Sequence, residues 1–137
     1  MKRLCLAAGL ALLLAGAARA QVPVLPEEPY PDQPRVERAE AKAKAASGPC
    51  EAELKARHAV GAACTGYHNA VLDALQWEHK RFAWCNVRMS ETSTFKVAPS
   101  CLTGQADMRI ETLMGLERKV SPKTWKAFDD QMAKFSN

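Results

Sequence analysis

The strongest periodic pattern in the chain runs from Tyr67 to Arg88, where apolar residues return at helical spacings. Such spacings place side chains on one face of an α-helix. The stripe consists of Val71, Leu75, Phe82 and Cys85. Trp77 and Trp84 form a second apolar line beside it, and an arc this wide is typical of the central helix of a bundle. We therefore expect the stripe to face the core.

Two weaker helical segments precede this helix. Residues 36–47 are rich in Ala, Glu and Lys, which favour helix, although Val36 is their single large apolar residue. Gly48-Pro49 is expected to end that helix, because proline cannot continue the hydrogen bonding of a helix interior. A second helix is predicted to begin at Pro49, with Gly61 and then Thr65-Gly66 marking its end, and the chain reversal is placed at Thr65-Gly66.

Three further segments follow the central helix. Residues 86–100 lack a helical period and are predicted to form an irregular crossover, with a short strand at 94–97. A helix is expected from 103 to 119. The last helix begins at Ser121-Pro122, an N-cap residue followed by proline at the first helical position. Its apolar face is formed by Trp125, Phe128, Met132 and Phe135.

The first 35 residues differ in composition from the rest. Residues 1–20 carry Lys2 and Arg3, then an apolar run and a small-x-small pattern, which is the organisation of a secretory signal peptide cleaved after Ala20. Residues 21–35 contain five prolines and are expected to form a flexible arm. The predicted fold is an all-α bundle of about four helices, in a disulfide-stabilised domain of residues 36–137.

Cleavage of the signal changes the charge of the protein. The formal net charge is +4 for 137 residues, and removal of residues 1–20, with Lys2, Arg3 and Arg19, leaves 117 residues and a net charge of +1. A near-neutral chain lacks the positive field that drives binding to phosphate backbones, so we expect no nucleic-acid binding. The signal predicts a periplasmic or secreted protein without a membrane-spanning segment after processing.

Four cysteines remain in the mature chain, namely Cys50, Cys64, Cys85 and Cys101. An even number in an exported chain indicates two disulfides. Within the predicted helices, Cys64 and Cys85 would lie about 31 Å apart, and Cys50 and Cys64 about 21 Å apart. A disulfide needs Cα atoms within about 7 Å. The pairing that remains is Cys50–Cys85 with Cys64–Cys101.

Cys64 and His68 raise the question of catalysis, because four residues separate them and a helix would bring the two side chains together. A thiol beside an imidazole is the arrangement of an activated nucleophile. The predicted disulfide consumes Cys64, however, and the reversal at Gly66 would separate the pair. We therefore expect a protein without catalytic activity.

An alternative hypothesis is a helical metal- or haem-binding protein. The candidate ligands are His58, His68 and Met89, since imidazole and thioether groups suit copper and haem iron. Because no spacing motif groups these residues, we predict no cofactor and keep this function as the alternative.

A band of cationic and aromatic residues on the central helix is the candidate interaction surface. Its members are Trp77, Lys80, Arg81, Trp84 and Arg88. Tryptophan and arginine are enriched at binding hot spots, although both tryptophans could instead complete the core beneath stacked cations. The surface interpretation predicts a non-catalytic binding or accessory module, such as an inhibitor, an immunity protein or an envelope-assembly subunit. Its partner would be another envelope or secreted protein.

Overall fold

The computed structural model describes residues 29–91, 101 and 107–136, without the side chains of 89–91. Its helices are α1 (Gln33–Arg57), α2 (Ala62–Glu91), α3 (Ile110–Val120) and α4 (Pro122–Met132), with a short 3-10 helix at Ala133–Phe135. The described residues thus form four α-helices and no strand, which confirms the all-α prediction. The predicted signal peptide, the arm before residue 29 and the strand at 94–97 lie outside them. The predicted irregular crossover is wrong for residues 86–91, which belong to α2. The predicted helix 103–119 is wrong for residues 107–109, because α3 begins at Ile110.

α1 and α2 form a long helical hairpin that is the framework of the fold. α1 buries one stripe along its length, made of Val36, Ala39, Ala43, Ser47, Cys50 and Leu54. Most of these residues are small, so the two helix axes can approach closely. The facing residues of α2 in the same core are Cys64, Tyr67, Ala70, Val71 and Ala74. None of the described helices is both long and apolar enough to cross a membrane.

The predicted break at Gly48-Pro49 is wrong, because α1 continues through both residues. Both are exposed, so the proline ring lies on the solvent side of the helix. Proline in a helix interior costs about 3 kcal/mol. Burial of Ala43 before it and of Cys50 and Leu54 after it offsets that cost. The two predicted weak helices are therefore one helix.

The last residues of the predicted arm also belong to the folded structure. α1 begins at Gln33, with Pro34 in its first turn, where a proline lacks only a hydrogen bond that the helix would not make. Tyr30 is buried against the ring of Trp84, with ring centroids 5.6 Å apart.

The hairpin turn lies at residues 58–61, and the predicted reversal at Thr65-Gly66 is wrong. His58 adopts left-handed backbone geometry with φ of 49°, and its N–H donates to the Leu54 carbonyl at 3.1 Å. α2 then begins at Ala62 and passes through Gly66 without interruption. Glycine is the usual residue for a left-handed helix end, so a histidine there gives no sequence signal for the turn.

The position of the turn decides the disulfides, and the predicted pairing is wrong. Cys50 is bonded to Cys64, with Cα atoms 4.3 Å apart, and Cys85 to Cys101, with Cα atoms 5.8 Å apart. Cys50 and Cys64 were expected on one helix, but α1 ends at Arg57, so they face each other across the turn. The exclusion of a Cys64–Cys85 bond holds, because both residues lie on α2.

α3 and α4 complete the bundle near the hairpin turn. Ser121 is the N-cap of α4 and Pro122 occupies its first turn, as predicted. Trp125 and Phe128 are buried, while Met132 and Phe135 pack partly buried against the core, which confirms the predicted apolar face.

Phe82 is the exception to the predicted stripe of α2, since it is 60% exposed. Val71 and Leu75 on the same stripe belong to the core. The C-terminal segment reaches His79, whose ring centroid lies 6.3 Å from that of Phe135, and Phe82 lies one turn further along α2. A helical period identifies a face, but it does not show how far the covering helices extend.

The exposure of Phe82 gives a direct stability prediction. Phe82→Ala is expected to change the free energy of unfolding by about 0.5 kcal/mol or less, as is usual at exposed positions. Urea denaturation followed by circular dichroism measures this change. A loss of about 3–5 kcal/mol would instead show that Phe82 is a core residue, as the stripe alone predicted.

Candidate functional site

Cys64 and His68 lie in the first two turns of α2 and do share a helix face, because the helix continues through Gly66. Both side chains are buried. The Cys64 sulfur is bonded to that of Cys50. The arrangement therefore has an imidazole but lacks the free thiol that a nucleophilic mechanism would need.

His68 is instead part of a buried polar pair. Its Nε2 atom is hydrogen-bonded to Oε2 of Glu117 on α3 at 2.8 Å, and Glu117 is fully buried. The His68 ring also stacks on Phe128 of α4, with centroids 4.0 Å apart and an angle of 13° between the planes. Burial of a carboxyl group is costly unless it is hydrogen-bonded, so His68 allows Glu117 to occupy the interior. One side chain thus joins α2 to α3 and α4.

Tyr67, the residue before His68, makes a second buried polar contact. Its hydroxyl donates to the carbonyl oxygen of Met108 at 2.9 Å, which ties α2 to the segment that leads into α3. Burial raises the pKa of Tyr67 above its ordinary value, and the nearby Glu117 adds to the rise. The phenol therefore stays protonated and acts as a hydrogen-bond donor.

Glu53 of α1 supplies the hydrogen-bond acceptor for the start of α2. Its carboxylate accepts the N–H groups of Gly61 and Cys64 at 2.9 Å each and that of Ala63 at 3.3 Å. The first N–H groups of a helix have no partner within it, and a carboxylate there also suits the helix dipole. The N–H of Cys64, followed by those of Gly61 and Ala63, holds the pKa of Glu53 below its ordinary value.

The lowered pKa of Glu53 predicts how stability depends on pH. The folded state favours the carboxylate, so its stabilising contribution is present above the ordinary pKa of 4.5 and is lost as the pH falls through the lower folded-state value. Glu53→Gln should therefore lower the urea midpoint at neutral pH, with a difference from wild type that shrinks on acidification. Urea titrations from neutral to acidic pH measure it.

Glu37→Gln, at an exposed position of α1, is the matched control and should leave the midpoint close to wild type. If the difference in urea midpoint between Glu53→Gln and wild type stayed constant with pH, the carboxylate charge of Glu53 would not be stabilising α2.

A contact between Arg109 and Glu51 ties the start of α3 to α1. One guanidinium N–H of Arg109 donates to Oε2 of Glu51 at 2.6 Å, and Lys55 Nζ donates to the other carboxylate oxygen at 2.7 Å. The hydrogen bonds from Lys55 and then Arg109 lower the pKa of Glu51. These contacts fix how the helices pack and leave Glu51 engaged at both oxygens.

The candidate ligands of the metal alternative occupy different environments. His58 is exposed at the hairpin turn, His68 is buried with Glu117, and the side chain of Met89 lies outside the described residues. Among the described residues, no group of three or more His, Cys, Asp or Glu side chains could hold a metal ion.

The cationic and aromatic band of α2 is the second candidate site, and Trp77 is its first residue. The indole packs partly buried against the core. Lys80 Nζ lies 4.2 Å from the ring centroid, and the Arg35 guanidinium of α1 lies 5.3 Å from it. Trp77 therefore contributes to the core, as the alternative interpretation of the tryptophans predicted. Two cations, Arg35 and Lys80, also lie over its ring.

Trp84 continues the band two turns along α2. The Arg88 guanidinium lies 5.5 Å from its ring centroid, and Tyr30 packs against the ring. Val87, three residues after Trp84, is 54% exposed. The surface, called here the cation–aromatic face, consists of Arg35, Trp77, Lys80, Trp84, Val87 and Arg88.

Arg81 was predicted to belong to this surface, and that prediction is wrong because the side chain is buried. Consecutive helix residues point about 100° apart, so Arg81 lies on the buried side of α2 while Lys80 faces solvent. Arg35 replaces it as a cation of the face. The sequence placed Arg35 in the arm, and only the packing of α1 on α2 brings it to Trp77.

Comparison with known proteins leaves the function open: no protein-family model, curated protein or solved structure matches this chain.

Proposed function

We propose that this protein is an exported, non-catalytic binding module that contacts another envelope or secreted protein through the cation–aromatic face. The observation that carries the proposal is the exposure of Val87 on the same helix on which Lys80 and Arg88 lie over the rings of Trp77 and Trp84. Aromatic and arginine side chains beside exposed apolar surface are the composition of interface hot spots. An inhibitor, an immunity protein and a subunit of an envelope assembly all act in this way.

Two features support export. Residues 1–20 have the organisation of a cleavable secretory signal. The bonds Cys50–Cys64 and Cys85–Cys101 suit an oxidising compartment, where such bonds form and persist.

The engagement of the reactive side chains supports a non-catalytic role. Cys64 is in a disulfide, His68 is paired with buried Glu117, and the Tyr67 hydroxyl donates to a backbone carbonyl. Each of these groups makes a contact that holds two elements of the fold together.

Site-specific photo-crosslinking in cells of the source organism tests the proposal. A photoreactive amino acid at Ala83, which is exposed on α2 close to the face, should give one discrete protein adduct in the envelope or secreted fraction. The same amino acid at Gln131, exposed on α4, is the matched control and should give none.

The adduct should disappear when Lys80 and Arg88 are both changed to glutamate. Equal crosslinking from Ala83 and Gln131, or no adduct at Ala83, would contradict a binding role for the face. Intact mass spectrometry of the same fraction should show removal of residues 1–20 and two disulfides.

A further inference from the structure

We infer that the cation–aromatic face binds an acidic segment of a partner protein, with carboxylates at Arg35, Lys80 and Arg88 and an apolar side chain against Trp84 and Val87. The inference rests on the proposed binding function and adds the chemistry of the partner. It follows from the charges, the stacking and the exposed apolar area of this one surface.

The charges of the face have a single predominant sign. Within residues 73–88, the exposed charged residues are Asp73, Lys80 and Arg88, whereas the carboxyl group of Glu78 is buried. Arg35 adds a third cation, with its side chain 63% exposed and an ion pair to Asp32 at 3.4 Å. Among the described residues, Arg35, Lys80 and Arg88 outnumber the carboxylates of Asp32 and Asp73 around the two tryptophans, so acidic groups are complementary to this surface.

The cations that lie over the rings suit carboxylates. The guanidinium groups of Arg35 and Arg88 lie 5.3 and 5.5 Å from the ring centroids of Trp77 and Trp84. A guanidinium group can bind a carboxylate through paired hydrogen bonds. The rings also restrict the long side chains of Arg35, Lys80 and Arg88, so less conformational entropy is lost on binding.

The exposed apolar area requires more than a simple anion. Val87 is 54% exposed and lies one turn beyond Trp84, so a ligand that covers it must bring an apolar group. A protein segment with both acidic and apolar side chains meets this condition. An anionic membrane is a poorer match, because membrane-binding clusters ordinarily contain about 4–8 cations.

Peptide binding to the oxidised mature chain, residues 21–137, tests the inference by fluorescence anisotropy. The probe is a fluorescein-labelled peptide composed of Glu and Leu, and the comparison peptide has Gln in place of every Glu. The Glu peptide should bind the wild-type chain, and the double variant Lys80→Glu/Arg88→Glu should weaken its binding by about tenfold or more. The Gln peptide should bind far more weakly.

The matched control is Lys123→Glu/Lys134→Glu, which changes the net charge equally at exposed positions of α4 and the 3-10 helix. It should retain the wild-type affinity within about twofold, since its sites lie off the face. Equal weakening of peptide binding in both double variants would overturn the inference, because binding would then depend on the net charge of the protein and not on the cation–aromatic face. Circular dichroism melts of all variants exclude unfolding as the cause.

Three other results would also overturn it: no binding of the Glu peptide, equal binding of the Gln peptide, or preferential binding to vesicles of phosphatidylcholine and phosphatidylglycerol. The crosslinking experiment keeps the two proposals separate. A crosslink at Ala83 together with failure of the Glu peptide would leave the binding module intact and reject only the acidic partner.

Discussion

His68→Leu is expected to lower the free energy of unfolding by about 1–3 kcal/mol, the usual cost of leaving a buried hydrogen-bonding group without its partner. Leucine keeps the apolar contact with Phe128 but offers no hydrogen bond to Glu117, which is fully buried and bonded to His68 at 2.8 Å. The buried carboxyl group would then lose its partner. Urea denaturation at neutral pH measures the loss.

A double variant separates this mechanism from a simple packing defect. His68→Leu/Glu117→Met removes both polar groups, and such replacement of a buried pair is often neutral or stabilising. We expect the double variant to recover most of the stability that His68→Leu loses. A double variant no more stable than His68→Leu would show that the hydrogen bond is not the source of the effect.

Removal of the Cys50–Cys64 disulfide is the second large effect. The sequence separation is 14 residues, and closing a loop of this size contributes about 3 kcal/mol, chiefly by restricting the unfolded chain. Cys50→Ala/Cys64→Ala should therefore lower the free energy of unfolding by roughly that amount while the helix content stays unchanged. Chemical denaturation without reductant measures the loss.

The single variant Cys50→Ala tests which cysteines are bonded to each other. It should expose one free thiol, at Cys64, and leave Cys85 bonded to Cys101. A free thiol at Cys85 in this variant would contradict the observed pairing.

The features that local patterns determine could be predicted from the sequence. Ser121-Pro122 marked the start of α4, and the helical spacing of Trp125, Phe128 and their neighbours identified its buried face. Each of these signals acts within a few residues of the chain. The all-α class follows from them.

The position of the hairpin turn could not be predicted from the glycines alone, because Gly61 lies in the turn whereas Gly66 lies inside α2. His58, rather than a glycine, adopts the left-handed conformation, and α1 continues past Gly48-Pro49 because packing against α2 outweighs the local cost. The period of the buried residues Ala39, Ala43, Cys50 and Leu54 is continuous across Pro49. That stripe was the available evidence for one helix.

The candidate surface was predicted in part, for a related reason. Trp77, Lys80 and Trp84 are neighbours on one helix, so helical spacing brings them together. Arg35 comes from α1, and Glu53 likewise reaches the start of α2 from another helix. Contacts between helices depend on the register of the hairpin, which the position of the turn sets.

That register is the central claim, since it pairs Cys50 with Cys64 and brings Arg35 to Trp77. Trypsin cleavage after Lys and Arg places the four mature cysteines in separate peptides: 45–55, 58–80, 82–88 and 97–109. Mass spectrometry of a digest without reductant should find peptide 45–55 linked to 58–80, and 82–88 linked to 97–109. Linkage of 45–55 to 82–88, with 58–80 to 97–109, would contradict the turn at residues 58–61 and the cation–aromatic face built on it.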